Sequence, residues 1–160
     1  SEAIGRNLYE MAGLKVPVVV TVIGEGGSGG ALAIGVGDRL LMLEHSVYSV
    51  AAPEASAAIL WRDSAKAPDA AKAMKITAQD LLDLKIVDAI IPEPEGGAHT
   101  DTAAAITAVG EALRAQLAII AALGLPALLD QRYAKYRALG RFQEAQHQLL
   151  HENGAAPLPF

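Results

Sequence analysis

Between Val20 and Asp38 the chain reads VTVIGEGGSGGALAIGVGD, with seven glycines in nineteen residues directly after a β-branched run. Glycine inside a regular element costs roughly 0.5–1 kcal/mol relative to alanine. Such density implies that side chains are unwelcome at this bend and that another group approaches the main chain closely.

Three chemistries use a bend of this kind. Gly24, Gly26 and Gly29 satisfy G-x-G-x-x-G after a strand, and Glu44 lies about twenty residues beyond, as in a dinucleotide-binding fingerprint. Against that reading, Gly35, Gly37 and Asp38 limit the following helix to about two turns, short for a crossover between parallel neighbours. A phosphate loop of the G-x-x-x-x-G-K-[ST] type is excluded, because no lysine follows the glycines. Ser28, between Gly26 and Gly30, also resembles a nucleophile elbow. It would need a base from His45, His99, His147 or His151, none of which carries a local signature. The third chemistry uses the backbone itself. A glycine turn feeding a helix N-terminus aims successive N–H groups outward with the positive end of the helix dipole behind them. That arrangement forms an oxyanion hole, in which each donor is worth roughly 2.7–4 kcal/mol of barrier.

The rest of the chain reads as one α/β domain. Ile4, Leu8, Met11 and Leu14 have helical spacing, and Val18–Ile23 reads as a strand buried on both faces. A short helix is expected over Ala31–Val36, followed by strands at Arg39–Leu43 and Ser46–Val50. Pro53 and Glu54 start a helix running to Trp61, and a second runs from Pro68 to Met74. Thr77 with Asp80 forms a capping box for AQDLLDLKI, and VDAIIPEP supplies the last strand. Asp101–Ala122 is a long helix, Pro126 is expected to break the pattern, and Leu128–Leu139 forms a final helix stopped by Gly140. The sequence after Glu152 reads as a loose tail. Tyr48 and Trp61 are expected in the core, and Arg132, Tyr133, Tyr136 and Arg137 form an interface stripe.

With 160 residues, 52% of them apolar, the chain is long and hydrophobic enough to bury a core. A net charge of −5 argues against nucleic acid or an anionic membrane as partner. The absence of cysteine excludes disulfides, thiolate zinc sites and a cysteine nucleophile. The longest charge-free stretch, Ala115–Leu129, falls short of the roughly 20 residues a membrane span needs.

The run from SEAIGRNLYEMAGL through the glycine bend to SVAAPE, with ILW, KAP and IIPEPEGGAH, closely resembles the C-terminal half of the α subunit of bacterial acetyl-CoA carboxylase carboxyltransferase. The resemblance extends from Ser1 to about Gly140. It implies a crotonase-type superhelix of ββα units with C-terminal helices, present here as a partial domain over residues 1–140. Residues 141–160 would form an extension without a family counterpart. It further implies transfer of a carboxyl group from carboxybiotin to acetyl-CoA, giving malonyl-CoA, with no metal in this chain. The implied partners are a β subunit in an α2β2 heterotetramer, the biotin carboxyl carrier protein and biotin carboxylase, in the cytoplasm. Carried onto this sequence, the Gly29 and Gly30 amides stabilise the oxyanion of the biotin ureido carbonyl. Gly26 and Gly27 shape the approach, with Ser28 beside them.

Glu54 and His99 are further substrate-binding candidates, each with a bland counterpart: a helix-start carboxylate for Glu54 and a turn-ordering imidazole for His99. Glu25 either faces the ligand or caps the turn. One departure concerns Ala55 and Ser56, which stand where the family has glycine and cysteine, so backbone contact with ligand near Ala55 is in doubt. Two other readings stay open: a dinucleotide site on Gly24, Gly26 and Gly29, and a non-catalytic assembly fragment.

Overall fold

A computed structural model describes residues 2–140. Helix α1 (Glu2–Ala12) leads into β1 (Val19–Val22), β2 (Glu25–Gly27) and α2 (Ser28–Gly35). Next come β3 (Arg39–Leu43), β4 (Val47–Ser49) and α3 (Pro53–Trp61), then α4 (Ala67–Met74), α5 (Ala78–Asp83) and β5 (Ala89–Ile91). Helices α6 (Thr102–Ala121) and α7 (Leu125–Arg137) complete the described chain.

The architecture is a strand–strand–helix unit repeated along the chain. β1, β2 and α2 form one turn, and β3, β4 and α3 form the next. Like strands of successive turns pair in parallel: β1 with β3 from Val19↔Arg39, and β2 with β4 from Glu25↔Val47. β5 joins the far side of β3, so one sheet has the order β1-β3-β5 and the other β2-β4. This is the ββα superhelix expected of a crotonase-type fold.

β3 shows why its sequence suits the centre. Successive side chains point to opposite faces, and RLLML is apolar on both. Leu40 and Met42 pack with Ala78, Leu81 and Val87, while Leu41 and Leu43 pack with Ile91 beneath Ala108, Val109, Ala112 and Leu113 of α6. α6 is long and apolar enough to cross a membrane by length and composition; its contact with this second cluster makes it the cover of the sheet.

Several boundaries and roles differ from expectation. α2 begins at Ser28 rather than Ala31, so Ser28, Gly29 and Gly30 belong to the helix. The helical pattern does break before Pro126, at residues 122–124, but the last helix begins at Leu125 rather than Leu128, so Pro126 sits in its first turn, where its missing N–H has no helical acceptor to lose. Trp61 is not core: it is 41% exposed, with the Lys66 ammonium 5.9 Å from its ring centroid. Tyr48 does pack against the Leu40–Met42 cluster. The expected stripe on α7 divides, with Tyr133 exposed and Arg132 buried. Half of the expected capping box is present: Thr77 Oγ1 accepts from the Asp80 amide at 3.2 Å, while the Asp80 carboxylate accepts from the Thr77 hydroxyl at 2.8 Å rather than from its backbone N–H. The tail after Glu152 and the extension 141–160 lie outside the described residues.

Candidate functional site

The glycines of the bend are bare for different reasons. A Cβ on Gly26 would lie 2.8 Å from Tyr48 Cδ2, and one on Gly35 would lie 2.6 Å from the Tyr48 hydroxyl. One on Gly37 would lie 3.0 Å from the Val18 carbonyl oxygen. Packing therefore demands these three. At Gly29 the nearest atom would be Ile4 Cδ1, at 3.1 Å, the tip of a flexible side chain on α1. At Gly24, Gly27 and Gly30 a Cβ would meet nothing within 4 Å. Nothing among the described residues requires a bare backbone at those three positions. Gly26 thus makes room for Tyr48, whereas Gly27 and Gly30 leave space open.

α2 starts where β2 ends, and no side chain caps it at Gly27. The first N–H groups of a helix have no acceptor within it, so the Ser28, Gly29 and Gly30 amides are the donors at this terminus. Ser28 holds φ at +57°. Arg62 and Lys75, also left-handed, are ordinary helix C-caps, and Lys85 follows α5. Among the described residues four non-glycine residues have positive φ, and of these Ser28 alone opens a helix. A left-handed residue with a Cβ costs roughly 1–2 kcal/mol, and such strain concentrates at functional positions.

Ser28 and Gly29 lie on the wall of a cleft of about 560 Å³. The remainder of the wall is nearly all apolar: Leu32 from α2, Tyr48 and Val50 at β4, Met74 at the end of α4 and Ile76 after it, and Leu81, Leu84 and Ile86 around α5. Lys75 is the one charged group on it, and its ammonium stands 3.3 Å from Asp80. The volume falls within the roughly 300–1,000 Å³ of small-molecule sites. Burial pushes the Tyr48 phenol above its ordinary pKa, so it stays neutral.

The other sequence candidates lie elsewhere. Gly30 is exposed and is not part of the cleft wall; Glu54 is exposed in the first turn of α3; His99 is exposed in the loop after β5. Among the described residues no histidine lines the cleft, so none of them serves Ser28 as a base there. His147 and His151 lie outside the described residues. The dinucleotide reading fails on topology. Glu25–Gly27 is a strand paired with β4, not a phosphate-cradling turn, and Glu44 Oε2 accepts from the Glu93 amide at 3.2 Å. The expected objection about helix length does not hold, because β1 and β3 are parallel neighbours joined through β2 and the eight-residue α2.

Sequence reading overlooked Glu93, within the same IIPEPEGGAH run. Its Oε1 accepts from the His45 amide at 2.9 Å and its Oε2 from the Ala98 amide at 2.7 Å, with His45 Nδ1 3.3 Å away. The amide of His45 leads the causes that hold this carboxyl below the ordinary glutamate range. Glu93 thereby ties the loop after β3 to the loop after β5. An early clue was available: a carboxylate between two prolines at a strand end has a rigid backbone from which to reach neighbouring amides. Among the described residues, no group of three or more His, Asp or Glu side chains is placed to hold a metal ion.

Residues 1–140 match the family model described as acetyl co-enzyme A carboxylase carboxyltransferase-like. The chain is 58% identical over 146 residues to the acetyl-coenzyme A carboxylase carboxyl transferase subunit alpha of Prochlorococcus marinus (strain MIT 9215), covering 91% of this chain and 44% of that protein. It is 60% identical over 144 residues to the corresponding subunit of Thermosynechococcus vestitus, covering 90% of this chain and 44% of that one. The chain therefore spans less than half the length of these relatives. Among solved structures, a Pseudomonas malonate decarboxylase hetero-dimer aligns with a TM-score of 0.57 at 21% identity, covering 94% of this chain and 57% of that one. A transcarboxylase 12S structure aligns with a TM-score of 0.50 at 18% identity, covering 56% and 19%. At such identities these two support the fold alone. With the glycine bend, the ββα superhelix and the family match in place, the chain belongs to the acetyl-coenzyme A carboxylase carboxyltransferase-like family, as a part of its α subunit.

Proposed function

We propose that this segment forms part of an enzyme that transfers a carboxyl group from carboxybiotin to acetyl-CoA, giving malonyl-CoA, and that the start of α2 supplies main-chain donors to the reaction. The observation that carries the reading is the uncapped first turn of α2 opening on an apolar cleft. When bound, biotin supplies the ureido nitrogen that carries the carboxyl group. This chain's part would be to hold the adjacent ureido oxygen with the Gly29 amide on the cleft wall and the Gly30 amide one residue on, at the exposed edge of the same turn, as negative charge develops there. Those donors are fixed before reaction and sit at the positive end of a helix, so they stabilise the charged state more than the neutral one. The walls from Leu32, Ile76, Leu81 and Ile86 exclude water and strengthen that interaction. Gly27 and Gly30 leave the approach open. Ser28 shares the turn and the cleft wall. Glu54 and His99, outside the cleft, have local structural roles in this reading.

Other subunits complete the assembly: a β subunit presenting acetyl-CoA within an α2β2 heterotetramer, with biotin delivered on its carrier protein after charging by biotin carboxylase. A cytoplasmic location accompanies these partners. The test replaces Gly30 with proline in the full-length protein reconstituted with its β subunit. Gly30 is the third residue of α2, so proline removes a donor without removing an intrahelical bond. Biotin-dependent decarboxylation of malonyl-CoA is expected to fall by about 10²–10³. Wild-type turnover in a folded variant would overturn the assignment.

A further inference from the structure

We infer that α7 is a clamp that sets the direction of α2, with Tyr136 and Arg132 as positioning residues for the amides at its opposite end. The inference rests on the proposed role of those amides. α2 has eight residues and little apolar anchorage: Leu32 is 50% and Ile34 61% exposed, and only Ala33 and Gly35 are buried. Along its side α1 supplies further contacts, Ile4 beside Gly29 and the Asn7 amide donating to the Ala33 carbonyl oxygen, so an element this short takes its remaining freedom of tilt from its ends. Its N-terminus has no side-chain cap, so the directional bonds at its ends are concentrated at the C-terminal one.

That end is gripped at three residues, Gly35, Gly37 and Asp38. The Tyr136 hydroxyl accepts from the Gly37 amide at 2.8 Å and stands within donating distance of the Gly35 and Gly37 carbonyl oxygens, at 3.1 and 2.9 Å. Arg132 meets Asp38 as a two-pronged ion pair, Nε to Oδ1 at 2.9 Å and Nη2 to Oδ2 at 2.8 Å, with both side chains 3% exposed. The same guanidinium donates to the Leu14 and Val16 carbonyl oxygens, at 2.7 and 2.9 Å, and Asp38 Oδ2 accepts from the Val18 amide at 2.7 Å. α7 itself buries only Leu128 and Arg132, so directional polar bonds rather than apolar packing join it to the α2–β3 connection. Such bonds define an angle where apolar contact does not.

Tyr136→Phe in the full-length protein with its β subunit is the test, because it keeps the ring and deletes only the hydroxyl. Breaking the buried Arg132–Asp38 pair is expected to unfold the region, so it cannot serve alone. Small misplacement of reacting groups costs rate more than affinity. The expected result is a kcat lower by about ten-fold with KM within about two-fold. Amide hydrogen exchange over Leu32–Gly35 should also rise about ten-fold, with Leu41 and Met42 in the sheet unchanged. Tyr133→Phe, on the exposed side of α7, should change neither. Unchanged kcat and unchanged α2 exchange in folded Tyr136→Phe overturn the clamp. A uniform rise in exchange that includes Leu41 and Met42 overturns it too, because that is general destabilisation. Absence of carboxyl transfer in the wild type, with the local exchange response intact, counts against the proposed function and not against the clamp.

Discussion

A single methyl group separates the roles of neighbouring glycines. Gly26→Ala would drive a Cβ to 2.8 Å from Tyr48 Cδ2, an overpacked contact expected to cost about 1–3 kcal/mol. Gly30→Ala meets nothing within 4 Å and replaces glycine inside a helix, so it should stabilise the fold by about 0.5–1 kcal/mol. Denaturant unfolding of the two variants checks the opposite signs. The same pair separates packing from chemistry in the reconstituted enzyme. Gly30→Ala keeps its amide and its fold while narrowing the open side of the turn, so any loss of turnover reports on ligand approach. Adjacent glycines look equivalent in a motif because their surroundings are absent from it.

Among the elements, the loops after β3 and β5 are joined through Glu93. A carboxyl with a lower pKa in the folded than in the unfolded chain binds protons less readily when folded. Its contribution to stability is therefore complete above the ordinary glutamate range and is lost as pH falls through the folded value. Glu93→Gln removes this dependence. Urea midpoints measured across a pH series should show a wild-type advantage that is constant near neutrality and closes in acid. A gap that persists unchanged below the glutamate range would refute the linkage. The helix that matters most was misplaced by three residues in sequence reading. Gly29 and Gly30 look like loop residues by propensity, yet β2 and the first turn of α2 hold them in regular structure.

For the whole molecule, the telling feature is apolar surface left uncovered. Ile23, Val50, Ile59, Leu60 and Ile106 are all at least 66% exposed, and the chain spans 44% of the length of its Prochlorococcus relative. Exposed apolar area of this kind marks interaction surfaces. The isolated 160-residue chain is expected to self-associate and to bind a hydrophobic dye, as measured by light scattering and fluorescence. A monodisperse, dye-silent monomer would contradict that expectation. The charge of −5 keeps such a surface from making a nucleic-acid partner attractive.

From the amino-acid sequence alone came the family, the α/β alternation, the Thr77 helix cap and the bend with its candidate donors. Each of these is a pattern of residues close together along the chain, where backbone preference and side-chain spacing act directly. Only the tertiary structure assigned Gly26 and Gly35 to Tyr48, placed Ser28 and Gly29 on an apolar cleft and left Glu54 and His99 outside it. It also turned half of an expected interface stripe into an anchor, because Arg132 finds Asp38 across 94 residues of chain. The strength of such a contact depends on burial and direction, and spacing in sequence carries neither.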